Sequence, residues 1–367
     1  MGRTKNLARI LMINLLILII LLASLEILSR ALYPEFRNHI FTETMSLGKR
    51  MIYDDFNGAS IRVTYPGYAK KINRQTPVIL VLGDSISYGY GCGYEDIYWR
   101  KFERLLHITN SHPVQVISLS GYGNNLSDSA TNLENWSKSD MKLPVKAIIY
   151  QFNFNDVTPH DSKSLKEGAH IVGFENTELF RKVALLRHKY LNRSVFFRVL
   201  QHYAGILRVK RHGSCEERGY DALGWYTYTF GSKPFKDASE QAWLDFEASL
   251  EKLKILSDKI NVKCLIVISP IIYDIDKQKI HPYYNIHNLD FSCATINPKE
   301  RLSAIAKMLH IDIIDPTAYM KDHFEQNVRE GNFEPFYFTG EDNHFTPVAA
   351  EYMAEYMLSY FVNNKLY

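Results

Sequence analysis

Val78-Ile79-Leu80-Val81-Leu82-Gly83-Asp84-Ser85 carries five apolar residues, three of them β-branched, straight into a turn. A continuous apolar run of that length, closed by glycine, predicts a strand buried on both faces, as in a parallel sheet. Parallel strands need a crossover, so a helix is expected next. Gly83 lets the chain turn without a Cβ clash, and Asp84 can accept from nearby backbone N–H groups. Ser85 is then left at the carboxyl end of the strand, the edge where open α/β sheets bind ligands. The tripeptide alone fits an ordinary capped turn equally well.

Working outward, the pattern repeats. Strands are expected over 114–120, 145–152, 262–269 and 311–316, and helices over 97–108, 125–137, 239–259, 298–309 and 348–362. Alternating β and α elements predict an α/β fold, a parallel sheet covered by helices on both faces. About a hundred residues separate the third and fourth strands, far more than a crossover needs. This insertion, near 157–238, holds Tyr190, Phe196, Phe197, Tyr203, Trp225, Tyr226, Tyr228 and Phe230. It reads as a small helical subdomain with its own core, and also as a cleft wall able to stack on a sugar or take an acyl chain. Residues 29–75 read as a stalk and lead-in, with an edge strand at Ser60-Ile61-Arg62-Val63-Thr64-Tyr65.

A net charge of +3 with both signs interspersed gives no nucleic-acid footprint. The N-terminus is more telling. Residues 10–25 carry no charge, and Arg3, Lys5 and Arg9 precede them. With its flanks, the stretch 7–28 is long enough to span a bilayer. The positive-inside rule leaves residues 1–6 as a cytoplasmic tail and puts the 76–367 domain in the periplasm or outside the cell. The run is long for a cleavable signal peptide and no clean Ala-x-Ala site follows, so an uncleaved signal anchor is favoured. Gly2 is not a myristoylation site, because Asn6 stands where Ser or Thr is required. Of the four cysteines, Cys264 reads as a buried strand thiol, and Cys215 and Cys293 could pair outside the cytosol. No Cys-x-x-Cys or spaced His pair suggests a metal, and glycines 89, 91 and 93 make no dinucleotide or phosphate fingerprint, reading instead as a flexible loop.

Polar groups fall at the ends of these elements: Ser85, Gly121, Asn155-Asp156, and Asp342-Asn343-His344 before the last helix. Thr346 is placed to cap that helix and Pro347 to open it. Gly83-Asp84-Ser85, Gly121, Asn155-Asp156 and Asp342-Asn343-His344 together resemble the four blocks of the SGNH/GDSL hydrolases, in the family's order, over about residues 77–362. The resemblance implies a three-layer α/β/α sandwich with a five-stranded parallel sheet of flavodoxin-like type, and no cofactor. It implies Ser85 as nucleophile, His344 as general base and Asp342 as the acid that orients it, with Glu341 the alternative acid. It implies an oxyanion hole from the backbone N–H groups of Ser85 and Gly121 and the side chain of Asn155. Two features bear on the pattern. Asn153 stands where the third block has glycine, and the acid sits three residues before the histidine in many members, which is Glu341, and two before in others, which is Asp342. The Gly-x-Ser-x-Gly elbow of the α/β-hydrolases is absent, since Ser87 occupies its second glycine position. The activity implied is ester cleavage through an acyl-Ser85 intermediate, on an O-acyl ester such as an O-acetyl group on a carbohydrate. Acyl transfer with the same triad, and a non-catalytic carbohydrate- or lipid-binding module, are the alternatives. The partners expected are that small-molecule or polysaccharide ester and, through the N-terminal helix, a membrane.

Overall fold

The computed structural model describes residues 2–33, 52–56, 59–63, 72–109, 113–121, 123–138, 143–158, 194–200, 203, 226–275, 291–332, 334–338 and 344–366. In chain order the elements are helix α1 (Gly2–Leu32), strands β1 (Ile52–Phe56), β2 (Ala59–Val63) and β3 (Val78–Leu82), and helices α2 (Ser85–Tyr88) and α3 (Tyr98–Thr109). Then come β4 (Gln115–Ser118), α4 (Leu126–Lys138), β5 (Val145–Phe152), a helical turn over 195–200, α5 (Thr227–Phe230) and α6 (Lys236–Lys259). The chain closes with β6 (Lys263–Ile268), α7 (Ile272–Ile275), α8 (Pro298–Met308), β7 (Asp312–Ile314), α9 (Thr317–Arg329) and α10 (Pro347–Asn363).

Five of these strands form one parallel sheet in the order β4-β3-β5-β6-β7. Counted within the sheet this is the doubly wound order 2-1-3-4-5, whose switch point lies between β3 and β5. Successive residues of β3 point to opposite faces, as the strand period requires. Val78, Leu80 and Leu82 join a core with Leu133 of α4, Trp243 of α6 and Leu302 of α8. Ile79 and Val81 join a second core with Phe102 of α3, Phe324 of α9 and Met353 of α10. The result is the three-layer α/β/α arrangement with a five-stranded parallel sheet.

The expected strand in the lead-in is present as β2, but it pairs antiparallel with β1 in a separate hairpin and not at the edge of the main sheet. The described end of the insertion forms no core of its own. Tyr226, Tyr228 and Phe230 belong to the same core as β3, β5 and α6, not to one of their own. Tyr190, Trp225 and Cys215 lie outside the described residues. Cys264 is buried in β6, and burial pushes its thiol up to about 12. Cys293 is disulfide-bonded, while Cys92 and Cys264 are free thiols.

Helix α1 contains one segment, Met12–Leu32, long and apolar enough to cross a membrane, with a mean hydropathy of 2.5. Its apolar side chains from Met12 to Leu22 are exposed. The helix runs past residue 28, and its last turns are not a free stalk: Ser29 is buried and Tyr33 packs against the second core. Glu26 fixes this end. Its carboxylate accepts from Ser194 Oγ at 2.7 Å and from the backbone N–H groups of Val195 and Phe196, each at 3.0 Å. It also pairs with Arg30 at 2.8 Å. The 195–200 turn in turn buries Val195 and Val199 in the second core. Hydrogen bonds to a charged acceptor contribute roughly 1.5–3 kcal/mol each. Glu26→Ala is therefore expected to speed amide hydrogen exchange at Val195 and Phe196 by about tenfold or more, with the sheet amides unchanged; equal protection in the two proteins would show that Glu26 holds nothing.

Candidate active site

The parallel sheet brings the ends of β4, β3 and β5 to one edge, with the β3 end in the middle. Gly121 follows β4, Ser85 follows β3 and Asn155 follows β5, so these three flank the switch point. Ser85 opens α2 after a turn held by Asp84, whose Oδ1 accepts from Ile86 N at 3.0 Å. Gly83 takes φ +154°, and a Cβ there would lie 2.7 Å from Gln151 Oε1 and 2.9 Å from Ser87 Oγ. No other residue fits that turn.

His344 reaches this edge from 259 residues away in sequence, and its Nε2 lies 2.8 Å from Ser85 Oγ. Its loop is held on both sides. Phe338 N donates to His344 O at 3.0 Å, Thr346 N to Phe336 O at 2.9 Å, and Tyr337 bridges Phe345. Thr346 stands at the start of α10, but its hydroxyl donates to Pro335 O at 2.6 Å and does not cap the helix. Tyr90 packs its ring against the His344 imidazole, centroids 4.6 Å apart. Gly91 is packed, with φ +79° and room for no Cβ against the Phe338 ring, 2.6 Å away. Both acid candidates, Asp342 and Glu341, lie outside the described residues.

Beneath the nucleophile is a buried polar layer that the sequence reading did not anticipate. Ser87 donates to Gln151 Oε1 at 2.9 Å, so the Tyr98 hydroxyl, 2.6 Å away, donates to Ser87. Trp99 Nε1 donates to Ser87 O at 2.6 Å. Asn153 Nδ2 donates to Asp84 Oδ2 at 2.7 Å. Asp156 Oδ2 accepts from Asn153 N at 2.8 Å and from the Tyr150 hydroxyl at 2.7 Å. The departure at Asn153 is the available signal: it stands where the third block has glycine, and its side chain, like that of Ser87, is spent on this layer.

Burial first, and then the Asp84 carboxylate, push the Asp156 carboxyl well above the ordinary range. The folded protein thus keeps a proton that the unfolded chain releases above about pH 4. The stability this contributes is complete below that pH and declines as pH rises toward the folded value. In Asp156→Asn one amide oxygen can accept both hydrogen bonds with no proton to lose. Thermal midpoints measured at pH 5 and pH 7 are expected to converge in Asp156→Asn relative to the parent protein; an unaltered difference would show that Asp156 is ionised. Asp156→Ala instead strands both donors, at roughly 1–3 kcal/mol for each buried group left unpaired.

A groove of about 720 Å³, lined among others by Phe154, Tyr273, Asp274, Phe291 and Lys299, lies toward the β6 and β7 side of the sheet, and neither Ser85 nor His344 lines it. Tyr273 and Phe291 stack with centroids 4.1 Å apart. Among the described residues, no group of three or more His, Cys, Asp or Glu side chains is placed to hold a metal ion.

No protein-family model matches the sequence, and no curated protein does. Solved structures do resemble it. A member of the lipolytic protein G-D-S-L family from Veillonella parvula shares 15% identity, with 78% of this chain and 99% of that one covered and a TM-score of 0.39. TesA shares 10%, covering 79% and 99%, with a TM-score of 0.41. An acetylxylan esterase from Geobacillus stearothermophilus, Axe2, shares 12%, covering 78% and 95%, with a TM-score of 0.40.

Proposed function

We propose that this chain is a membrane-anchored serine esterase of SGNH/GDSL type. The observation that carries this reading is the 2.8 Å contact between Ser85 Oγ and His344 Nε2 at the sheet's switch point. A serine and an imidazole in that geometry form an activated nucleophile. Ser85 Oγ attacks the ester carbonyl carbon while its proton passes to His344 Nε2. The tetrahedral oxyanion is met by the backbone N–H groups of Ser85 and Gly121 and the side chain of Asn155. The His344 proton then goes to the departing alcohol, leaving acyl-Ser85. Water, deprotonated by His344, returns Ser85 and releases the acid. Asp342, or Glu341 in its place, orients the imidazole.

The substrate is an O-acyl ester, with O-acetyl on a carbohydrate the class that fits best. The catalytic domain lies on the far side of the membrane from the N-terminus, and the disulfide at Cys293 is in keeping with an oxidising compartment. The test is capture of the detergent-solubilised full chain by a fluorophosphonate probe, followed by identification of the modified peptide. Label on the peptide that contains Ser85 supports the reading; no label, or label elsewhere, rejects it.

A further inference from the structure

Ser85 has one hydroxyl proton and two acceptors near it. His344 Nε2 is 2.8 Å from its oxygen and Asp84 Oδ2 is 3.4 Å away. A carboxylate is a strong hydrogen-bond acceptor, and one next to the nucleophile would compete for the proton that the base must receive. Here each carboxylate oxygen accepts from another donor, which weakens its pull on the Ser85 proton. Oδ1 accepts from Ile86 N at 3.0 Å and Oδ2 from Asn153 Nδ2 at 2.7 Å. Asn153 cannot drift from this contact. It is fully buried, and its own N–H is held by Asp156, which also takes the Tyr150 hydroxyl. A glycine, expected at position 153 from the block pattern, would have no side chain to offer.

We propose that Asn153 is a positioning residue that keeps Asp84 from drawing on the Ser85 proton, so that the proton points to His344. The proposal rests on the esterase reading and goes beyond it. Asn153 touches neither substrate nor reacting atom; it acts through Asp84. During acylation the proton leaves Ser85 Oγ for His344 Nε2 as the Oγ–carbonyl bond forms. A hydroxyl turned toward Asp84 must first rotate before that transfer begins.

The experiment uses the full chain in detergent, p-nitrophenyl acetate turnover, and the second-order rate of labelling by a fluorophosphonate. Asn153→Ala and the near-isosteric Asn153→Leu are each expected to lower the labelling rate and kcat about tenfold or more, with KM within about threefold. In an Asp84→Asn background, where the competing carboxylate is gone, the same changes at position 153 are expected to alter the rate by less than about twofold. A role confined to packing would lower the thermal midpoint and leave the rate per folded molecule alone. Labelling of both variants at the parent rate overturns the proposal, as does an equal loss with and without the Asp84 carboxylate. If neither variant folds, the contact serves the fold and the proposal also fails. A parent protein that takes no label rejects the esterase reading itself, and a parent that labels beside equally fast variants rejects the role of Asn153 alone.

Discussion

Replacing Ser85 with alanine lowers kcat/KM for p-nitrophenyl acetate by about 10⁴-fold or more, the loss seen when a triad nucleophile is removed. The effect is large because the attacking oxygen itself is removed. The Ser85 hydroxyl lies 2.8 Å from His344 Nε2, and the nearest serine in sequence, Ser87, is buried and committed to Gln151 and Tyr98. The fold loses little by the change. Ser85 Oγ takes part in two side-chain contacts, to His344 and to Asp84, and Asp84 keeps its bonds to Ile86 and Asn153. His344→Ala is expected to match the loss, and the double variant to be no worse than either single one, since the two groups act as a unit. Steady-state kinetics on the full chain measures this. Activity retained in Ser85→Ala would remove the nucleophile from the account and leave an α/β domain of other purpose.

Trp243→Ala destabilises the protein by about 3–5 kcal/mol, the usual range for removing a buried tryptophan. Trp243 sits in α6 fully buried, against Phe152 and Phe246 with ring centroids 6.5 and 5.5 Å away. Its indole N–H donates to Thr229 O at 3.0 Å, and the Thr229 hydroxyl in turn bonds to Phe154 O. This line of contacts ends next to Asn155. The substitution therefore opens a cavity in the core and loosens the third block at the same time. Trp243→Phe keeps the ring but not the donor, and is expected to cost less in stability while still lowering kcat. Thermal midpoints and initial rates on both variants separate the two effects; unchanged stability in Trp243→Ala would show that the core collapses around the gap without penalty.

What was legible in the sequence was whatever local pattern or packing period determines. The run from Val78 to Leu82 could be read as a buried parallel strand because every residue in it is buried. The span 145–152 was read to its ends for the same reason, with only its first two residues outside the core. Helix α9 leaves no readable face in the sequence, because it buries only Met320 and Phe324. Among the site residues, Ser85 and His344 were placed together from their blocks and are in contact. Tyr90 was not singled out, because its role depends on where the His344 loop returns, a long-range contact with no local trace. The loop glycines read as flexible for a similar reason: the Phe338 ring that confines Gly91 lies 247 residues further on. Asn153 drew notice only as a departure, and its partner Asp84 is 69 positions away.

The two rims of the sheet are its shortest members, β4 with four residues and β7 with three. An outer strand of that size offers few free amide and carbonyl groups to a neighbouring polypeptide, so cross-chain zippering has little to grip. That brevity limits pairing at the rims without shortening the central strands β3, β5 and β6, from the first two of which Ser85 and Asn155 follow.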